Sequence, residues 1–524
     1  MQGLVLPPLA QGDRFEELQA LLSDRWRSVD DFDETAHDIV IIPSLSLDRR
    51  ELTKVKGVHH YEERLLFSLI RLRNPNTRLI YVTSQPLHPT IVDYYLKLLP
   101  DVPFSDARQR LVLLSAHDGS TKTLTQKILE RPRLIAKIRQ LVRPNLGYMT
   151  CFNSTQLERD LALQLDLPLL ALDPALLRWG TKSGSREVFA EADVPHPDGC
   201  LEVWTEEELA AATAELWDRQ PQLKRMVVKL NEGFSGQGNA LLDLRAMPQA
   251  SPHHMAPEER VGAIAQQFEH LSFQCDTETW DSFSSRIPDL GAIVEAFIEG
   301  EEKRSPSVQG RITPNGTVDI LSTHDQILGG PDGQIFLGCC FPADEAYRQQ
   351  LQAYGLAVGN VLAAKGVIER YSVDFMAVRA SEQNPWDLHA IEINVRKGGT
   401  THPQMTLKLL TGGQYDAQSG LFLSQRGKAK YYVATDNLQS DRYIGLLPDD
   451  LMHIIAKHRL HFNPSTEVGS VFHIIGCLSE YGKIGLLSIG NSPKEADAIY
   501  HQVIQILDDE TEAHLHHPFH PAYG

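Results

Sequence analysis

Asp374, Glu392, Asn394 and Arg396 are the residues whose types and spacing best suit a defined chemistry. The stretch 372–403 opens as SVDFMAV, carrying Asp374, passes through the polar turn RASEQNPWD and returns as LHAIEINVRKGGTTHP. Two apolar runs around a polar turn predict an antiparallel hairpin. On the returning strand Glu392 and Asn394 stand two apart, so the period of a strand puts both on one face, and Arg396 extends that face by one more step. Asp374, in the partner strand, can share it. Two carboxylates and an amide oxygen from adjacent strands suit a hard divalent cation such as Mg²⁺. A guanidinium beside such a cation makes a site for phosphate-bearing substrates. A buried ladder of internal salt bridges would carry the same spacing, so the reading rests on what else the chain supplies.

Two lysines and a glycine turn lie upstream. Lys182 sits at the head of a predicted helix beside Gly180, where backbone N–H groups and an ammonium can serve one anion. Lys229 is delivered by the short apolar strand MVVKL. After it comes GFSGQGN, with Gly233, Ser235, Gly236 and Gly238, a turn whose backbone N–H groups can close over phosphate oxygens. It is not a Walker A loop, because no Gly-Lys-Ser/Thr opens a helix. Further on, VEAFIEG is a strand whose backbone could carry an adenine, and Glu302 is placed to accept from ribose hydroxyls. His324, Asp325 and Gln326 form a polar cluster inside a strand pattern, which needs a partner or a ligand.

The elements that must position these residues follow a clear order. At 524 residues, several domains are expected. Hydrophobic content of 42% and charged content of 23% are ordinary for a globular protein. A net charge of −18 and a pI near 5.6 oppose a broad nucleic-acid or anionic-membrane surface. The sequence has no apolar run long enough to span a bilayer and no convincing signal peptide. The six cysteines show no Cys-x-x-Cys spacing, and reduced thiols in the cytoplasm are expected.

After a lead-in with one helix near 13–28, five apolar runs alternate with helical patterns: 38–45, 78–84, 110–116, 147–152 and 167–172. Alternation of this kind predicts a parallel sheet covered on both faces. No glycine fingerprint follows its first strand, so this Rossmann-like layer is not expected to bind a dinucleotide. Thr155 and Glu158 have capping-box spacing. Residues 245–285 read as a looser insertion ending in a helix, and Pro314-Asn315-Gly316 as a hairpin turn. The region 416–510 reads as a small α/β unit whose last helix starts at Ser492-Pro493 with Glu495 three on. That unit could wall the amine-substrate cleft or serve as a dimerisation unit for a homodimer; both readings stay open. The tail, 511–524, holds four histidines and reads as flexible.

The pieces WGTKSGSREVFAEADVPHP, VVKLNEGFSGQGN, VEAFIEGEE, SVDF and EINVRKGG occur in an order that resembles the ATP-grasp superfamily of carboxylate–amine ligases. Within it, SPSVQGRITPNGTVDILSTHDQILGGPDGQIFLGCCFPA and the GTTHP after Arg396 resemble the pheganomycin-type peptide ligases. The resemblance implies an α/β chain with α+β in the ligase core: a Rossmann-like pre-ATP-grasp domain (1–175), an ATP-grasp core of two subdomains (176–300 and 301–415) clasping ATP, and a C-terminal domain (416–510). It implies that Lys182 and Lys229 contact ATP phosphates, that 233–238 is a mobile lid, that adenine lies at Glu295, Ala296, Phe297 and Ile298, and that ribose lies at Glu302. It implies two Mg²⁺ ions at Asp374, Glu392 and Asn394, with Arg396 steadying an acyl-phosphate. The hairpin joining Asp374 to Glu392 is long for the family pattern, and 245–285 does not map onto it.

The implied activity is ATP-dependent formation of a peptide or related amide bond from small-molecule or peptide substrates, releasing ADP and phosphate. His324, Asp325 and His402 are candidates to take or orient the amine's proton, and Arg311 and Lys397 to bind a substrate carboxylate. A non-catalytic nucleotide-binding regulator with the same fold is the competing reading. A kinase or a carboxylase is disfavoured because neither a biotin-attachment nor a phosphohistidine segment is apparent.

Overall fold

The computed structural model describes residues 11–30, 36–47, 52, 55–232, 238–273, 278–329 and 335–516. The predicted parallel layer is present. Leu111–Ser115, Thr77–Thr83, His37–Ile42, Gly147–Cys151 and Leu169–Leu170 lie side by side in that order, all parallel. The central strand HDIVII is buried along its whole length, as a sheet covered on both faces requires. Thr155 and Glu158 do form a capping box.

The segment Val58–Arg73 is a 3-10 helix rather than an α-helix. At three residues per turn, positions i and i+3 eclipse, so Tyr61 and Arg64 share one face and His60 and Glu63 the next. Glu62, Glu63 and Arg64 are all buried.

Two antiparallel sheets follow. Ser272–Phe273, Asn239–Asp243, Arg225–Leu230 and Ala292–Ala296 make a four-stranded sheet in that order. Helix Glu206–Arg219 buries Leu209, Leu216 and Trp217 against it, each contributing about 1.5–3 kcal/mol relative to exposure. Helix Pro257–Gln267 packs there too, so the 245–285 insertion is no loose appendage. Ile264, Phe268 and Phe283 join the same core, and the buried Arg260 donates to Ala250 O at 2.9 Å and pairs with Asp218.

The larger sheet has eleven strands. Pro306–Ile312 and Val318–Gly329 form a hairpin around Pro314-Asn315-Gly316, with Gly316 at φ +79°. Glu369–Arg379 pairs with Pro306–Ile312 on one side and Asp387–Asn394 on the other. Helix Arg348–Ala364 crosses this sheet, and Gly310 and Gly359 leave room for the Tyr371 ring, which any Cβ there would strike at 2.2 Å.

The C-terminal unit is not a separate layer. Its strand Ala429–Gln439 pairs with Ile335–Phe341, and Lys483–Gly490 pairs in turn with Ala429–Gln439 and Gly469–His473. Its apolar residues merge with those of the parallel layer in one core that includes Leu66, Leu409, Val471, Leu486 and Leu507. The last helix, Pro493–His516, continues into the predicted tail, and 517–524 lie outside the described residues. Among the described residues no helix is long and apolar enough to cross a membrane, and the cysteines described are all unpaired.

Candidate active site

The hairpin is built as the alternation predicts. Asp374 stands opposite Glu392, and Ser372 opposite Asn394. A bulge follows at once, since Phe375 pairs with Ala390 and leaves Ile391 extra, a device that locally re-aims side chains. Asp374 accepts from Gln326 Nε2 at 2.7 Å and from Asn394 Nδ2 at 3.0 Å, while Arg396 Nη2 donates to Asn394 Oδ1 at 2.9 Å. Burial, and then the charge of Glu392, push the Asp374 carboxyl up to about 7. Burial also pulls the Arg396 guanidinium below its usual value, against the carboxylates of Glu392 and Asp374. Asp374, Glu392 and Asn394 therefore fit a hard divalent cation, because a 2+ charge between them would remove the repulsion that raises Asp374.

Lys182 is the first residue of helix Lys182–Glu191, whose N-cap Thr181 accepts from Gly184 N at 3.1 Å. Its ammonium comes within 4.0 Å of Glu392 Oε1. Lys229 forms a buried ion pair with Glu295, which also holds Arg186 Nη1 at 3.1 Å. Burial alone would raise the Glu295 carboxyl, but Lys229 and Arg186 outweigh it and hold it below the usual range. Lys182, Lys229, Asp374, Glu392, Asn394 and Arg396 all line one cavity of about 1180 Å³.

Ala296, Phe297 and Ile298 line the same cavity. Ala296 N donates to Asp198 O at 2.8 Å, Phe297 N to Arg225 O at 3.2 Å, and Ile298 O accepts from Lys303 Nζ at 2.7 Å. Gly238 is buried where strand Asn239–Asp243 begins, its carbonyl accepting from Leu230 N at 2.9 Å. Gly233, Ser235 and Gly236 lie outside the described residues.

Several predicted residues do not converge here. Glu302 is off the cavity wall, its carboxylate taken by Arg379 at 2.8 Å. Arg311 is paired with Asp319 at 2.8 Å and lines a small separate pocket. Lys397 anchors the hairpin to the parallel layer through Cys151 O at 2.8 Å and pairs with Glu369, at the start of strand Glu369–Arg379, at 3.2 Å. His324 is fully buried and meets Tyr432 Oη at 2.6 Å, and His402 is buried against Tyr95 Oη at 3.2 Å. Both imidazoles are therefore corrected from base to core. Asp325 does reach the cavity, but its oxygens accept from Tyr347 and from Asp344 N at 2.9 Å.

In their place the fold brings residues that sequence reasoning passed over. Arg64 of the parallel layer pairs with Asp436 of the C-terminal unit, and both line the cavity. Asp436 also meets His473 Nε2 at 2.6 Å. Burial would raise its carboxyl, but Arg64 and His473 hold it well below the usual range. Lys483 donates to Tyr61 Oη at 2.7 Å beside them. A signal existed: a lone carboxylate interrupts the apolar strand YYVATDNL, and three successive charges, Glu62, Glu63 and Arg64, open the apolar run that follows to residue 73.

A family model described as IQCH-like ATP-grasp matches residues 175–267 and 252–418, and one described as PGM1 C-terminal domain matches 450–503. L-propargylglycine–L-glutamate ligase of Streptantibioticus cattleyicolor is 30% identical over 477 residues, covering 89% of this chain and 93% of its own. The chain belongs to the ATP-grasp superfamily of carboxylate–amine ligases. IQ motif-containing protein H of Danio rerio is 24% identical over 78% of this chain and 42% of its own. Among solved structures, the biotin carboxylase–β-γ-ATP complex of Campylobacter jejuni aligns with a TM-score of 0.50 at 12% identity, over 89% of this chain and 90% of that one. The biotin carboxylase domain of Hydrogenobacter thermophilus 2-oxoglutarate carboxylase, solved with MgADP, aligns with the same TM-score at 13% identity, over 88% and 87%. These two likenesses speak for the fold. As an ATP-grasp ligase, the chain joins a carboxylate to an amine with ATP as co-substrate, and its likeness to a pheganomycin-type ligase places it among the peptide ligases.

Proposed function

We propose that this ATP-grasp ligase joins two amino acids or short peptides, at least one of them bearing an extra carboxylate, through an acyl-phosphate. The observation that carries the reading is the approach of Lys182 to Glu392 across a cavity that Lys229 and Arg396 also line. Its volume, about 1180 Å³, exceeds a typical single-ligand site of roughly 300–1,000 Å³, so a nucleotide and two small substrates can share it. Beyond the hairpin, Arg64 and Lys483 give the cavity a second cationic region suited to carboxylates. The glutamate in the relative's name suits that chemistry.

A carboxylate resists an amine because its oxygens leave poorly. Attack of the acid's oxygen on the γ-phosphorus of ATP forms the C–O–P link and releases ADP. Attack of the amine on that carbonyl then forms the C–N bond as phosphate leaves with the C–O electrons and takes up the amine's proton. Two Mg²⁺ ions, held by Asp374, Glu392 and Asn394, would neutralise phosphate charge when bound. Lys182 and Lys229 supply fixed positive potential at the phosphates, and Glu295 holds Lys229 in place. Arg396 orients the carboxylate and then stabilises the oxyanion of the tetrahedral adduct. Domain boundaries near 175 and 415 fit this division of labour, with the C-terminal unit as a cleft wall.

The test is a screen of amino acids and short peptides for ADP release that requires both an acid and an amine, with mass detection of the amide. Asn394→Ala and Arg396→Ala should abolish turnover. AMP as the nucleotide product, or ADP release indifferent to the amine, would overturn the reading.

A further inference from the structure

His59, His60 and Glu480 bring three ligand atoms within 4.8 Å of one another, away from the cavity lining. They meet where Val58–Arg73 of the parallel layer abuts the short helix Cys477–Tyr481 of the C-terminal unit. We propose that these three residues hold a divalent transition-metal ion of the zinc class, which clamps the two units together.

The geometry is close to a coordination shell. The two imidazole rings lie 4.2 Å apart, and the Nε2 atom of each stands 3.9 Å from Glu480 Oε2. Zinc bonds of about 2.0–2.1 Å in a tetrahedron set ligand atoms roughly 3.4 Å apart, so each imidazole need close on Glu480 by only about half an ångström. His60 Nε2 is buried without a hydrogen-bond partner, although it faces Glu480. An orphaned ring nitrogen of this kind is unfavourable unless something fills it.

The other side of His60 is also prepared. Its Nδ1 lies 3.7 Å from Glu63 Oε1, and Glu63 is in turn fixed by Gly476 N at 3.1 and 3.2 Å. A carboxylate behind an imidazole sets the tautomer and ring orientation of metal-binding histidines. Gly476 is needed for that approach, because a Cβ there would stand 2.3 Å from Glu63 Oε1 and 2.6 Å from His60 Nδ1. The Tyr481 ring closes one side, edge-on to both imidazoles at 6.5 and 6.4 Å.

Two imidazole nitrogens and one carboxylate favour Zn²⁺, Co²⁺ or Ni²⁺ over Mg²⁺, which takes oxygen donors. Glu480 keeps 60% of its side-chain surface and His59 keeps 39%, leaving the fourth position to water. Tyr61 and Arg64 follow on the same 3-10 helix and Lys483 follows Glu480 by three, so the ion would hold the cationic region of the cavity at fixed spacing.

The test uses the full chain, stripped with chelator and kept in millimolar Mg²⁺ so that the oxygen donors around Asp374 are filled. It is titrated with Zn²⁺ by calorimetry and with Co²⁺ by visible absorption, and bound metal is counted by mass spectrometry. Wild type is expected to bind one equivalent more than Glu480→Gln or His59→Gln, with at least a tenfold weaker affinity at that site in each variant. Both side chains are exposed, so these variants should release ADP like wild type when no zinc is added. The histidine-rich tail is present in every form and cancels. Equal Zn²⁺ uptake by wild type and both variants, or uptake that disappears only when the tail histidines are replaced, would overturn the proposal.

Discussion

Lys182 Nζ stands 4.0 Å from Glu392 Oε1, although a helix start and a strand more than two hundred positions later carry the two groups. Lys182 is buried in this contact while Glu392 keeps 29% of its side-chain surface. The ammonium is thus presented at the cavity rather than to bulk water. Replacing Lys182 with Met should lower kcat by about 100- to 1,000-fold, the usual effect of losing one preorganised donor. Circular dichroism should stay unchanged. A kcat within threefold of wild type would remove Lys182 from the phosphate site.

Glu295 is buried between Lys229 and Arg186, and its loss leaves two cations without their partner. Breaking a buried pair in this way costs about 3–5 kcal/mol. Glu295→Gln is therefore expected to lower the urea midpoint sharply as well as weaken ATP binding. Unchanged stability alongside lost ATP binding would make Glu295 a direct nucleotide contact instead.

Arg64 is contributed by the parallel layer, with Tyr61 and Phe152, to a cavity that the ligase core and the C-terminal unit also line. Arg64→Ala should raise KM for the carboxylate-bearing substrate at least tenfold and leave KM for ATP within twofold. Asp436→Asn, which loosens Arg64, should move the same parameter in the same direction. A parallel rise in KM for ATP would place Arg64 at the triphosphate.

The Asp374 carboxyl sits near 7 because it is buried and faces Glu392. Chelation should abolish ADP release, and Mg²⁺ or Mn²⁺ should restore it. Asp374→Asn removes the repulsion but also a ligand charge. Its half-saturating Mg²⁺ concentration should rise by tenfold or more while the fold becomes no less stable. A variant with unchanged Mg²⁺ dependence would exclude Asp374 as a ligand.

His324 contributes to the acid sensitivity of the fold. Burial lowers its imidazole from 6.5 to about 3, so the folded chain holds it neutral. Its contribution is complete above pH 6.5 and is lost as pH falls toward 3, by up to about 1.4 kcal/mol per pH unit for one proton. His324→Asn should flatten this acid limb, so the stability gap between wild type and variant narrows between pH 7.5 and 5. Urea titrations at several pH values would show it; a constant gap would refute it.

Much of the fold could be read from the sequence. The alternation of apolar runs and helices predicts the parallel layer, and strand period 2 predicts the shared face of Glu392, Asn394 and Arg396. Both are local rules, set by how a few neighbouring residues pleat or coil. The 3-10 form of Val58–Arg73 was not legible, because α and 3-10 patterns differ by only about 0.6 residue per turn. Nor was the packed state of 245–285: Ile264 and Phe268 keep helical spacing, but only the tertiary fold shows that they share one core with Phe283.

The site divided in the same way. Composition, spacing and the order of the pieces, by themselves, determined an α/β chain with an oxygen-rich hairpin and two lysines upstream of it. Tertiary structure alone decided which charged groups remain available to substrates. Glu302 was taken by Arg379, Arg311 by Asp319, and His324 and His402 by the core, whereas Arg64 and Asp436 were drawn to the cavity from opposite ends of the chain. The reason is that a charge's role depends on the partner and the dielectric it meets through space, and neither is encoded in its neighbours along the chain.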